Sequence, residues 1–237
     1  MLTLVWYPIM LVRRLFDRDP VRYATGRLFR DLGATVTKVN PLWKVKILGA
    51  DKVSNPRLPY VVVSNHQSMA DIPILSLLPW EMKWMAKKEL FETPLIGWEL
   101  KLAGDISVDR ANPRSAVQSI RKGMWYLENK CSVMVFPEGT RSLDGEVQDF
   151  HDGAFRLAIE AGVPVLPIVV EGTFGCLPKK SWKFGSAKGI TLNVLDQIDT
   201  NGMTRGDVGM LRDRTRDLIV GKLASLRADD PATAPVP

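Results

Sequence analysis

Short runs rich in β-branched residues alternate with helix-period stretches through the middle of the chain. This alternation restricts the fold more than any other feature. Tyr60-Val-Val-Val-Ser64, Ser132-Val-Met-Val-Phe136 and Val165-Leu-Pro-Ile-Val-Val170 read as strands buried on both faces. Pro167 weakens the third or places it at a sheet edge, because proline cannot donate to a ladder. Residues 45–48, 83–86, 106–108 and 190–195 are weaker strand candidates.

Between these runs lie helical patterns. Asn112 followed by Pro113 is a cap-plus-first-turn signature, after which Val117, Ile120, Met124 and Leu127 share a face. Phe155, Ala158 and Ile159 form a second face, closed by Gly162. A last helix starts near Thr204 and Asp207, with Leu211, Leu218, Leu223 and Leu226 facing inward. Strands alternating with helices predict an α/β fold: a largely parallel mixed sheet flanked by helices. No repeat or linker interrupts residues 34–227, which are expected to form one domain. Residues 228–237, rich in proline and alanine, are expected to be a disordered tail.

Residues 1–33 differ in character. An apolar tip containing Trp6 and Tyr7 is followed by Arg13, Arg14, Arg18, Arg22, Arg27 and Arg30, against Asp17, Asp19 and Asp31. The apolar run is shorter than the roughly 20 residues an unbroken membrane span needs. Pro20 should split the region into two helices, with Gly33 ending the second. Such a segment suits a membrane-associating interfacial anchor, since Trp and Tyr favour the headgroup level. The plainer reading is a helix packed on the core.

Composition supplies exclusions. With 46% hydrophobic residues in 237, core volume is not limiting, so a disordered chain is excluded. Two cysteines make no disulfide framework and two histidines no His-rich metal site. The net charge of +6 suits an anionic membrane, a phosphorylated substrate or nucleic acid alike, although no nucleic-acid-binding module is visible. Lys179, Lys180, Lys183 and Lys188 make a basic stretch that suits CoA phosphates or an acidic carrier protein, or is simply a solvated face. Trp43, Trp80, Trp84 and Trp98 suit core packing, with interfacial contact as the alternative use.

In sheets of this kind, sites occupy loops beyond the carboxyl ends of strands. One such loop reads Ser64-Asn-His-Gln-Ser-Met-Ala-Asp71 and the other Phe136-Pro-Glu-Gly-Thr-Arg-Ser142. In a continuous helix His66 and Asp71 would lie roughly 140° apart and not meet. A loop entering a helix brings them together, so that Asp71 accepts the Nδ1 hydrogen and leaves Nε2 as a general base. Alternatively, Asp71 caps the helix beginning at Ile72-Pro73 and His66 is structural. In the second loop, Gly139, Thr140 and Arg141 make an anion receptor, with Glu138 accepting from a substrate hydroxyl or orienting Arg141. A strand-end turn with a surface Glu–Arg pair is the alternative.

Taken together, Asn65-His66-x4-Asp71 and Phe136-Pro-Glu-Gly-Thr-Arg-Ser142 resemble the first and third motifs of the glycerophosphate acyltransferase superfamily. Lys87-Lys-Glu-Leu-Phe91 with Gly104-Asp-Ile-Ser-Val-Asp-Arg110 resembles the second motif region, and Val163-Pro-Val-Leu-Pro-Ile168 the fourth. The chain is most similar to the bacterial 1-acylglycerol-3-phosphate (lysophosphatidate) acyltransferases, over roughly residues 40–200. The resemblance implies an O-acyltransferase moving a fatty acyl chain from acyl-CoA or acyl-carrier protein to a lysophospholipid hydroxyl, giving phosphatidate. It also implies a peripheral or monotopic place on the cytoplasmic face of the cell membrane.

By the same resemblance His66 is the base and Asp71 its orienting partner. Glu138, Gly139, Thr140 and Arg141 belong to the acceptor loop, and Arg110 helps hold the phosphate. Neither a metal nor an organic cofactor is implied. One departure is Phe150-His-Asp-Gly-Ala154, where the family often has two basic residues before Gly-Ala. The acidic Asp152 there keeps other acceptors in view, namely glycerol-3-phosphate or a lyso-ornithine lipid. A non-catalytic membrane lipid-binding protein is the reading of another class.

Overall fold

A computed structural model describes residues 2–109, 111–177 and 187–229. Two helices, α1 (Leu2–Phe16) and α2 (Tyr23–Val39), lead into β1 (Trp43–Leu48) and β2 (Val61–Ser64). Then come α3 (Asp71–Leu75), β3 (Met82–Lys87), α4 (Lys88–Glu92), α5 (Ile96–Ala103) and β4 (Ile106–Val108). The remainder is α6 (Pro113–Glu128), β5 (Ser132–Val135), α7 (Gly153–Ala161), β6 (Val165–Glu171), β7 (Ala187–Val194) and α8 (Val208–Asp229). The sheet order is β1-β7-β6-β2-β5-β3-β4, with every neighbouring pair parallel except β6 and β7.

The continuous apolar runs reflect burial on both faces. Val61 and Val63 point into a core layer with Phe155 and Leu157 of α7 and Leu211 and Ile219 of α8. Val62 points the other way, among Ile74, Leu75, Trp80 and Leu166. Period-two alternation thus puts successive valines in different layers, each apolar around them.

Three local expectations are corrected. Pro167 is not at an edge: β6 lies between β7 and β2, with Pro167 opposite Val63. Its carbonyl accepts from Leu195 N–H at 2.9 Å, one residue past β7. The N–H that proline lacks leaves the reciprocal bond of that pair unmade. Gly33 does not end α2, which continues to Val39. A Cβ at Gly33 would stand 2.7 Å from Ser76 Oγ and 3.3 Å from Pro73 Cα, so this glycine permits close contact between α2 and the α3 region. Val117 and Leu218 face solvent rather than the core, at 53% and 44% exposure. The other expected positions, Ile120, Met124 and Leu127 on α6 and Leu211, Leu223 and Leu226 on α8, do pack on the core, joined by Ser119, Gly123 and Tyr126 and by Thr215 and Ile219.

The chain does break between α1 and α2, at the expected proline. The second of these helices is tied to the sheet by buried charge. Arg30 grips both oxygens of Asp105 at 2.5 and 2.6 Å, and Lys83 reaches Glu81 at 2.9 Å. Trp43, Trp80 and Trp84 are core residues, whereas Trp98 is 46% exposed beside Tyr7 of α1. Among the described residues no helix is long and apolar enough to cross a membrane.

Candidate active site

β2 and β5 are adjacent and parallel, so the loops that follow them leave the sheet at one end. The first loop is pinned by Asn65. Its Nδ2 donates to Val170 O at 2.8 Å, and its Oδ1 accepts from Val170 N–H at 2.9 Å. That double bond joins the loop to β6 and fixes where the next residue, His66, leaves the strand.

Asp71 opens α3 and is fully buried. Its Oδ2 accepts from His66 Nδ1 at 2.7 Å, from Gln67 N–H at 2.8 Å and from Ser68 N–H at 2.9 Å. The carboxylate therefore turns back into the preceding loop instead of capping its own helix, which has no side-chain cap. An acceptor at Nδ1 selects the tautomer with its hydrogen there, so Nε2 carries the lone pair. The imidazole stacks on Phe136, with ring centroids 3.9 Å apart and planes 13° from parallel. Phe136 follows β5, so the ring is clamped between the two loops.

Direct bonds join those loops. His66 N–H donates to Glu138 Oε1 at 2.6 Å, and Ser142 N–H donates to His66 O at 2.8 Å. Glu138 Oε2 accepts from Gln148 N–H at 3.0 Å. Both Glu138 oxygens thus bind backbone, and among the described residues no Glu138–Arg141 pair forms. Burial pushes the Glu138 carboxyl up to about 7, against the lowering effect of those two N–H groups. Gly139 turns the loop in a left-handed conformation, φ 72°. Thr140 and Arg141 follow, half-buried, and among the described residues the Arg141 guanidinium has no ion pair. An unneutralised cation therefore stands one residue from Ser142, which holds the His66 carbonyl. Arg110 lies outside the described residues, as do Lys179, Lys180 and Lys183.

Several contributors had not been singled out from the sequence. Thr173 Oγ donates to Asp71 Oδ1 at 2.5 Å, and Gln67 Nε2 donates to Glu171 Oε2 at 3.0 Å. Thr173 and Glu171 lie at the carboxyl end of β6, and the rule that sites occupy such loops applied to that strand as well. Ser68 Oγ donates to Leu177 O at 3.1 Å and accepts from Ala70 N–H, which leaves it committed to the loop. Cys131 is buried, its thiol pushed up to about 12 by desolvation. Asp152 pairs with Arg212 of α8 at 2.7 Å, and the same guanidinium also binds Asp213 at 2.8 Å. Among the described residues no cluster of His, Cys, Asp and Glu could hold a metal ion.

The family model named Acyltransferase matches residues 44–171. The chain is 37% identical over 180 residues to the chloroplastic 1-acyl-sn-glycerol-3-phosphate acyltransferase LPAT1 of Arabidopsis thaliana, covering 76% of this chain and 49% of that protein. It is 36% identical over 188 residues to the human 1-acyl-sn-glycerol-3-phosphate acyltransferase alpha, covering 78% of this chain and 66% of the relative. It thus spans only half to two thirds of these curated relatives. The crystal structure of the 1-acyl-sn-glycerophosphate (LPA) acyltransferase PlsC from Thermotoga maritima superposes with a TM-score of 0.76 at 27% identity. That match covers 96% of this chain and 95% of the other.

Proposed function

The chain belongs to the acyltransferase family, and from that premise we propose that it transfers a fatty acyl group from a thioester to the free hydroxyl of 1-acyl-glycerol-3-phosphate, giving phosphatidate. The donor is acyl-CoA or acyl-carrier protein. One observation carries the reading: the His66–Asp71 pair is hydrogen-bonded into the same loop assembly that presents Arg141. A base for the hydroxyl and a cation for the phosphate of one small acceptor thereby belong to two loops that are hydrogen-bonded to each other.

Nε2 of His66 accepts the proton of the acceptor hydroxyl as its oxygen attacks the thioester carbonyl carbon. The resulting imidazolium faces the Asp71 carboxylate, which compensates its charge. Collapse of the tetrahedral adduct breaks the C–S bond, and His66 returns the proton to the departing sulfur. No protein side chain becomes acylated. Arg141 holds the phosphate in a bidentate fork.

The exposed apolar face of α1 supports work at a lipid surface. Leu4, Val5, Leu15 and Phe16 are 61%, 59%, 82% and 73% exposed, and Trp98 of α5 extends the patch. A membrane surface, on its cytoplasmic face, is the proposed place of action.

The test is turnover of lysophosphatidate with an acyl thioester. His66→Ala should lose at least about 10²-fold in kcat while still binding the acceptor. Arg141→Lys should raise KM for lysophosphatidate, because the fork is lost. Near-normal turnover without the imidazole removes the proposal.

A further inference from the structure

Beside β4, at the open edge of the sheet, lies a cavity of about 600 Å³ that the thioester-transfer reaction has not so far employed. It runs from Lys88, at the carboxyl end of β3, to Gly104, just before β4. Arg22, Lys101 and Lys122 also line it, and among the described residues none of these three makes an ion pair. Lys88 is only 3.7 Å from Asp109. Two carboxylates share the lining: Glu92 is exposed, and Asp105 is already bound at both oxygens by Arg30. The cavity therefore holds an excess of positive charge.

That charge is held in position without being neutralised. Arg22 Nη1 donates to the carbonyls of Lys101 and Leu102, at 3.0 and 3.4 Å. Lys122 Nζ donates to the carbonyl of Asp105 at 2.9 Å. Burial pushes the Lys122 ammonium below its ordinary range; Asp105 opposes this, while the positive Arg22 and Lys83 add to it. Such a group is relieved by an incoming anion. Beside these cations stands Trp125, 40% exposed and edge-on to Tyr126 at 5.1 Å. Cations next to an accessible indole suit a phosphorylated base, which pairs with the first and stacks on the second.

Distance separates donor from acceptor. From β2, which presents His66, to β4 is three strand positions, or at least about 14 Å across the sheet at roughly 4.8 Å each. In 1-acyl-glycerol-3-phosphate about four bonds link the reacting oxygen to phosphorus, a reach of about 5 Å at roughly 1.2 Å per bond. That phosphate belongs at the carboxyl ends of the strands, near Arg141, and does not reach Arg22, Lys101 and Lys122. In CoA about thirteen bonds link sulfur to the first phosphorus, a reach of about 15 Å on the same scale. Building on the thioester-transfer reading, we propose that this cavity receives the phosphorylated adenosine end of an acyl-CoA donor.

The test titrates the full-length protein with adenosine 3′,5′-bisphosphate by calorimetry, beside Lys101→Glu and Trp125→Ala, two exposed positions whose melting curves check folding. Saturable binding, weakened about tenfold or more in both variants, is expected. In turnover the same variants should raise KM for acyl-CoA about tenfold. KM for lysophosphatidate and for an acyl-phosphopantetheine donor, which lacks the nucleotide, should stay unchanged. Absence of binding, or binding unchanged in both variants, overturns the assignment whether or not the protein turns over. A rise in KM for lysophosphatidate gives the cavity to the acceptor and also overturns it. Nucleotide binding that depends on Lys101 and Trp125, with no thioester consumed, supports the site and removes the transfer reaction instead.

Discussion

Asp71 gathers four donors on two oxygens, and the one furthest away in sequence is the hydroxyl of Thr173. Thr173 is fully buried and contacts the carboxylate rather than the imidazole, so it acts as a positioning residue. Thr173→Val should lower kcat about tenfold, by the roughly 1.5 kcal/mol of a charge-assisted hydrogen bond, with KM little changed. Thr173→Ser should restore most of the rate, and the pH profile of kcat should move in the valine variant alone. A merely structural hydroxyl would change the melting temperature and leave that profile in place. His66 and Asp71 were legible because their chemistry is local to one motif. Thr173 was not, because it stands 102 residues away in the chain and only the sheet makes it a neighbour.

At the scale of elements, glycine and proline were the hardest residues to interpret. Gly33 looked like a helix stop and is a contact point, since its missing Cβ lets α2 approach Ser76 and Pro73. Gly33→Ala should destabilise the fold by about 1–3 kcal/mol through overpacking, despite alanine's better helix propensity, as thermal or denaturant unfolding would measure. A gain in stability would show that α2 shifts freely on α3. Pro167 looked like an edge residue because the weight of its missing N–H depends on which neighbour that N–H would have met. The strands themselves were readable, since both-face burial imposes an unbroken apolar run on each. Helix faces were readable to within one position: Leu218 and Ile219 compete for the same side of α8, and packing chose Ile219.

The α1 helix should carry membrane contact as a unit. Replacing Leu15 and Phe16 together by Glu removes apolar area from an exposed face without touching the core. Co-sedimentation with anionic phospholipid vesicles should then fall severalfold while the melting temperature holds. Undiminished sedimentation would move the lipid contact elsewhere.

Over the whole molecule, a second group of buried charges, besides that at the active-site loops, lies where the N-terminal helices meet the sheet. Glu99 of α5 is fully buried, and neither of its carboxylate oxygens has a partner among the described residues. Burial pushes its carboxyl up to about 7 from an ordinary value of 4.5. The folded state thus favours the protonated acid. Its stabilising contribution is complete below the unfolded value and is lost as pH rises through about 7. Glu99→Gln should therefore flatten the fall in stability between about pH 5 and 8, by about 1–3 kcal/mol at the upper end. Melting curves across that range decide the point, and parallel curves for the two proteins would refute it.

The sequence by itself determined which runs are buried strands, where the loops at their carboxyl ends fall, and that His66 and Asp71 share one of those loops while Glu138, Gly139, Thr140 and Arg141 share the other. These properties are local, since period-two burial, a His–Asp spacing and a Gly-Thr-Arg turn are each written within a few consecutive residues. Tertiary structure alone decided the sheet order, the bond from Thr173 to Asp71, the pairing of Asp152 with Arg212, and the gathering of cations beside β4. Each of these joins residues far apart in the chain, and a contact across such a distance exists only once the layers have packed.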